Sequence, residues 1–182
     1  MLASGGNLAR HEVSARLLGD RASATLNGVY LGRASQHQAQ RTDVEHRAIG
    51  TTLTEVYKGV FDQRAHGAFL GRIHVAQGAQ KTDAQQQNRN LLLSDGAVAD
   101  TKPELEILAD DVKCTHGATV GDLDQEPLFY LRARGINESD ARTLLIEAFI
   151  CDLIDGITDE PVHAHFRNAV THWLAVEGIN PP

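Results

Sequence analysis

The residue types best suited to chemistry fall in one short stretch, Asp110-Asp111-Val112-Lys113-Cys114-Thr115-His116-Gly117. On a strand, side chains two residues apart share a face, so Cys114 and His116 point the same way. A thiolate and an imidazole together suit iron or zinc. Two donors do not complete a metal site, and the same pair also fits a small packed cysteine beside a hydrogen-bonded histidine. Glu104 and Glu106 are the other pair that shares a strand face. Paired carboxylates can hydrolyse a glycosidic bond, although the usual exposure of Glu favours a solvated sheet edge. Aromatic residues, the usual sugar platforms, make up only 5% of the chain. His163 and His165 lie two apart in a helical stretch, point away from each other and read as solvent-exposed. Cys151 falls among apolar helix positions and reads as core. Two cysteines make no disulfide framework or zinc motif. They sit on elements of different type, so no Cys114–Cys151 bond is expected.

Other signatures are missing. Gly78-Ala79-Gln80-Lys81-Thr82 lacks the glycine before lysine that a phosphate-cradling loop needs. The dinucleotide, zinc-protease and serine-hydrolase motifs are absent. The net charge is −7 over 182 residues, the opposite balance from a protein built to grip phosphate backbones. No apolar run approaches membrane-spanning length. The first residues, Met1-Leu2-Ala3-Ser4-Gly5-Gly6, carry no signal-peptide pattern, so the expectation is a cytoplasmic protein with neither nucleic-acid nor membrane partners.

Two stretches of different grammar must position these residues. Residues 1–122 contain one proline, Pro103, and short apolar runs between Gly, Gln, Thr and Asn. Ala9, His11, Val13, Ala15 and Leu17 alternate with polar neighbours, which predicts a strand over 10–18. Further strands are predicted at Val29–Leu31, Thr52–Phe61, Phe69–Val75, Leu91–Leu93, Glu104–Leu108 and Val112–Thr115. A repeat appears as well. Gly28-Val29-Tyr30-Leu31-Gly32-Arg33 resembles Gly67-Ala68-Phe69-Leu70-Gly71-Arg72, and Gln40-Arg41-Thr42-Asp43 resembles Gln80-Lys81-Thr82-Asp83. The spacing predicts a β-solenoid with rungs of roughly 20 residues, two per repeat. Stacked rungs pair in parallel and share one continuous core.

Residues 123–182 change to helical grammar. A first helix is predicted over 127–134, with Asp124 as its cap and Gly135 as its stop. Asn137 or Ser139 caps a second, whose stripe is Leu144, Leu145, Ala148, Phe149, Leu153 and Ile154, ending at Gly156. A third opens at Thr158 with Pro161 in its first turn. It presents Phe166, Ala169, Val170 and Trp173 and closes at Gly178, ahead of a Pro181-Pro182 tail.

The run Leu91-Leu92-Leu93-Ser94-Asp95, then Asp100-Thr101-Lys102-Pro103-Glu104-Leu105-Glu106-Ile107, then Cys114-Thr115-His116-Gly117-Ala118-Thr119-Val120-Gly121, then Leu128-Phe129-Tyr130-Leu131-Arg132-Ala133-Arg134-Gly135 resembles the SufB/SufD family, and SufD more than SufB. The resemblance covers nearly the whole chain. It implies a right-handed parallel β-helix core over 1–122, followed by a C-terminal helical domain over 123–182. It implies a non-enzymatic part in iron–sulfur cluster assembly, within a complex of SufB, SufD and the ATPase SufC.

Residue by residue, His116 matches the family's interface histidine, where the nascent cluster forms at the SufB–SufD junction, and Cys114 lies beside it. His116 would then be a metal ligand shared with the partner. Asn88 stands where SufB-like members carry a cysteine, so no cluster is expected to stay bound to this chain alone. The helices from Ser139 to Trp173 match the SufC-binding region, which nominates Leu145, Phe149, Leu153 and Phe166 as docking residues. Deleting the chain beyond Gly135 is then expected to abolish SufC binding and leave the β-helix folded. Family members carry a long region ahead of this segment, so the chain reads as starting inside the β-helix with an unpaired first rung, an aggregation hazard. A homodimer is the expected state without partners. The competing reading is a β-helix carbohydrate enzyme using Glu104 and Glu106.

Overall fold

The computed structural model describes residues 1–175; Gly178 and the Pro181-Pro182 tail lie outside them. Nine strands come first: β1 (Leu2–Ser4), β2 (Leu8–Leu17), β3 (Ser23–Gly32), β4 (His37–His46), β5 (Thr52–Phe61), β6 (His66–Val75), β7 (Asp83–Leu92), β8 (Val98–Ile107) and β9 (Lys113–Gly121). Three helices follow: α1 (Gln125–Ala133), α2 (Glu138–Ile154) and α3 (Glu160–Ala175). Odd strands form sheet A in the order β1-β3-β5-β7-β9, and even strands form sheet B in the order β2-β4-β6-β8. All pairing is parallel. The chain is therefore a parallel β-solenoid of about four turns with a helical end.

The rung length differs from the sequence reading. Ser23 lies opposite Thr52 and His37 opposite His66, offsets of 29, while His66 lies opposite Val98, an offset of 32. Each inner rung thus contains two ten-residue strands and two corners, not roughly 20 residues. The two Gly-to-Arg matches fall on β3 of sheet A and β6 of sheet B, so that similarity is not the structural repeat. Corners stack too. Arg21, Gly50 and Lys81 all adopt positive φ, and they donate in turn to Ile49, Gln80 and Asp111 carbonyls of the next rung. A left-handed residue turns the chain within a few positions, at a modest steric cost where it is not glycine.

Inward side chains make columns through the lumen. Glycine and aromatic residues exchange space there: a Cβ on Gly67 would lie 2.0 Å from Phe61 Cζ, and one on Gly28 2.2 Å from Tyr57 Cε1. Tyr30 packs edge-on against Phe61 at 5.3 Å, and Tyr57 packs at a tilt against Phe69 at 5.2 Å. Any side chain at Gly67 must displace a ring, an overpacking cost of about 1–3 kcal/mol.

Much of the lumen is polar. Tyr30 Oη donates to Asn90 Oδ1 (2.6 Å), Asn90 Nδ2 donates to Asn88 Oδ1 (2.7 Å), and Asn88 Nδ2 donates back to Tyr30 Oη (2.8 Å). This closed circuit is buried. Glu55, also fully buried, accepts from Gln86 Nε2 at 2.8 Å. Burial pushes its carboxyl well up, against the opposing hydrogen bond from Gln86, and it pushes the Tyr57 phenol up to about 12.

The helices cover the outer face of sheet A. Val29, Leu31 and Val60 from that face form one hydrophobic cluster with Ile146, Ile150, Cys151, Ile154, Val170, Trp173 and Leu174. Lys58, only 3% exposed at its side chain, reaches across to Asp152 Oδ2 (2.5 Å) and the Phe149 carbonyl (2.7 Å). The Arg33 guanidinium stacks 3.9 Å over Trp173. Asp124 and Asn137 cap α1 and α2 as the sequence indicates. Asp159, rather than Thr158, accepts from the third helix through the Val162 amide. The buried stripe of α2 is Ala141, Ile146, Ile150, Cys151 and Ile154, so Leu144 and Ala148 are exposed instead of packed. Because the sheet and the helices share a core, deletion beyond Gly135 would strip apolar surface from Val29, Leu31 and Val60.

Glu55 makes this lumen pH-sensitive. A carboxyl with a raised native pKa binds more protons folded than unfolded between its two pKa values. Its stabilising contribution is full below the unfolded pKa and is lost as pH rises through the native one. In urea melts between about pH 5 and pH 8, wild type should lose more stability with rising pH than Glu55→Gln does. Parallel slopes for the two proteins would contradict a buried, titrating Glu55.

Candidate functional site

Cys114 and His116 both lie on β9, the last strand of sheet A. Cys114 is opposite Ala84 and His116 opposite Gln86. Ala84 and Gln86 are buried lumen positions, so Cys114 and His116 continue the inward columns onto the final rung. No further strand pairs with β9, and so what would be interior is open. Cys114 is half-buried against Leu53, Ala84 and their neighbours, while His116 is exposed. A Cβ on Gly117 or Gly121 would meet nothing within 4 Å. A cleft of about 350 Å³ opens here, lined by Gln86, Asn88, Thr115, His116 and Thr119 among others.

The pair therefore shares a face, as its spacing predicts, but its two members differ. Burial pushes the Cys114 thiol up, partly offset by its backbone hydrogen bond at Ala84 and reinforced by Asp83. Among the described residues no group of three or more His, Cys, Asp or Glu converges on one point. His116 thus finds no complete ligand set among the described residues. Beneath it the column runs through Gln86 to Glu55, two rungs down.

Asn88 does structural work. It sits at the centre of the Tyr30–Asn88–Asn90 circuit and also donates to the Tyr57 carbonyl at 3.3 Å. An amide fills this position because it can donate and accept at once, which a thiol does poorly.

Other nominated residues fall elsewhere. Glu104 and Glu106 lie on the outer face of sheet B. Glu104 pairs with Lys102 Nζ (2.6 Å) and Glu106 with His74 Nδ1 (2.9 Å), so each carboxylate is engaged with a different neighbour. Cys151 is buried in the helix–sheet core, and both cysteines are free thiols. His165 is exposed, whereas His163 is half-buried and bonded to Asp155, which also holds Arg167. Leu145, Phe149, Leu153 and Phe166 are partly buried against the chain's own core. Leu153 and Phe166 also line a cleft of about 290 Å³ between the helices and β1 and β3. The exposed apolar helix residues are Phe129 (74%), Tyr130 (54%), Leu144 and Val162. Phe129 and Tyr130 had a sequence signal. In a nine-residue helix the run Leu128-Phe129-Tyr130-Leu131 cannot face one side, and only Leu128 is buried.

A parallel β-solenoid with an open terminal rung and a helical cap defines a structural class, and comparison with known proteins assigns the family. Residues 1–149 match the family model described as "SUF system FeS cluster assembly, SufBD core domain". The chain is 42% identical over 156 residues to the iron–sulfur cluster assembly protein SufD of Escherichia coli (strain K12), covering 86% of this chain and 37% of that one. It is 34% identical over 180 residues to the SufBD family protein ML0594 of Mycobacterium leprae, covering 94% and 46%. It is 33% identical over 174 residues to protein ABCI7, chloroplastic, of Arabidopsis thaliana, covering 95% and 37%. The chain belongs to the SufBD family of the SUF iron–sulfur cluster assembly system, with SufD as its resemblance within it. It spans between about a third and a half of the length of these relatives. No helix among the described residues is long and apolar enough to cross a membrane.

The raised Cys114 thiol has a direct consequence. The thiolate is the reactive form, so Cys114 in the isolated chain should alkylate with iodoacetamide several-fold more slowly than an unperturbed cysteine peptide at neutral pH. The gap should close as pH rises or on urea unfolding. Alkylation at the peptide's rate, read by mass spectrometry, would contradict the packed, protonated thiol.

Proposed function

We propose that this chain acts as a non-enzymatic SufD-type component of a cytoplasmic SUF assembly complex, pairing with a SufB-type subunit through the open β8–β9 rung. The observation that carries the reading is His116, an imidazole on a lumen column that ends at an unpaired strand edge. An edge strand offers a row of backbone donors and acceptors to another chain. A partner that adds strands to sheets A and B would continue the columns and close its own side chains over His116. The cluster is cargo at that junction rather than a resident group. His116 supplies one ligand or a proton acceptor, depending on what its second nitrogen contacts, and the partner supplies the thiolates that clusters of this kind mostly use. Cys114 is secondary, because its thiol is packed and protonated.

The helical end is read as the docking side for a SufC-type ATPase. Phe129, Tyr130, Leu144 and Val162 form its exposed apolar surface. Leu145, Phe149, Leu153 and Phe166 hold that surface on sheet A, and Leu153 and Phe166 reach it at the cleft beside β1.

The test uses purified complexes with SufB- and SufC-type partners, scored for bound iron and acid-labile sulfide. His116→Ala should lose most of both, on the order of tenfold, while all subunits still co-purify. Cys114→Ser should lose less. The chain alone, after anaerobic reconstitution, should retain no stable cluster. Wild-type iron and sulfide in the His116→Ala complex would reduce the histidine to a structural contact.

A further inference from the structure

A second histidine site lies on the opposite sheet, far in sequence from His116. His37 opens β4 and His66 opens β6, and the two are direct partners in the parallel register. Both point to the outer face of sheet B, each half-buried. Their Nδ1 atoms are 3.1 Å apart, with ring centroids at 4.5 Å and ring planes at 77°. On the far side of His66, Nε2 lies 2.8 Å from Asp100 Oδ2 on β8.

The carboxylate decides the tautomer. Asp100 accepts a hydrogen bond, so neutral His66 keeps its proton on Nε2 and presents a lone pair at Nδ1. That lone pair faces His37 Nδ1. His37 then either donates its own Nδ1 proton or moves it to Nε2 and presents a second lone pair. In the second form two imidazole nitrogens converge. Nitrogens about 2.0–2.1 Å from one ion and 3.1 Å apart subtend about 98°, between the octahedral and tetrahedral angles. A carboxylate behind one ligating histidine is the usual arrangement for orienting an imidazole on a metal. The face is accessible, since a trough of about 590 Å³ runs past His37 and Asp100 over Ala39 and Ala68, with the cations Arg10, Arg41 and Lys102 also on its lining.

We propose that His37 and His66 form a two-imidazole site for a divalent first-row transition ion, with Asp100 as the positioning residue. The remaining coordination positions are open to water or to an oxygen donor in the trough. Neutral imidazoles select ions such as zinc, nickel, copper or iron over magnesium and calcium. The site is independent of the partner-facing edge and of the reading of His116.

Zinc titration of the full chain by calorimetry tests this, with zinc as the redox-silent probe. Wild type should show one site that His37→Ala and His66→Ala each weaken at least tenfold. Asp100→Asn should weaken it about tenfold, and His165→Ala, an exposed control, should leave it intact. A second measurement needs no variant. Zinc should protect His37 and His66 of the wild-type chain from diethylpyrocarbonate, mapped by peptide mass, while magnesium should not. Either wild-type zinc binding in both alanine variants, or modification of the two histidines unchanged by zinc, overturns the site and leaves the pair as a plain N–H···N hydrogen bond.

Discussion

Parallel backbone pairing between rungs is the constraint on which the rest of this structure depends. The inner strands β3 to β7 are each paired to the rung below and the rung above, so their inward side chains stack into columns. The stacking fixes which residues share a column and prevents any strand from slipping without moving its whole column out of the lumen. It also creates the open end on which the proposed pairing rests. Where stacking stops, at β8 and β9, lumen residues become surface residues. His116 is placed as a core position is placed, yet it faces out of the end of the stack.

The same logic explains the polar interior. Buried Gln, Asn, Thr and Glu side chains are least costly where the register brings donors against acceptors, because an unpaired buried polar group costs about 1–3 kcal/mol; Gln40, with both side-chain polar atoms unpaired, does not meet that condition. The Tyr30–Asn88–Asn90 circuit meets that condition within three rungs. Asn88 is therefore tied to the fold. Across the sheet, Lys58 and the hydrophobic cluster around Ile146 and Ile150 fasten the helices to the solenoid.

The polar columns also set what was legible in the sequence. Thr52–Phe61 was readable to the residue, since Leu53, Val56, Tyr57, Val60 and Phe61 supply the apolar signal. β4, with Gln38, Gln40 and Thr42 inward, carried no hydrophobic alternation and was missed, and only the end of β7 was found. The solenoid was correctly expected, but partly from a similarity that the register does not use. The true period shows in pairs such as His37 with His66 and Val44 with Ile73, 29 apart. Cys114 and His116 were legible from spacing alone. That the strand carrying them is the last of its sheet was not, because an edge is defined by what fails to pair with it. The α2 stripe was misplaced because apolar residues run around much of that helix, and only packing against both sheet A and α3 selects Ile146 and Ile150.

The proposed pairing edge is the β8–β9 rung. Backbone amide exchange, followed by mass spectrometry on the chain with and without a SufB-type partner, tests it most directly. Peptides spanning Lys113–Gly121 and Val98–Ile107 should exchange readily in the free chain and become strongly protected in the complex. A stable complex in which those peptides exchange as fast as in the free chain would contradict the account.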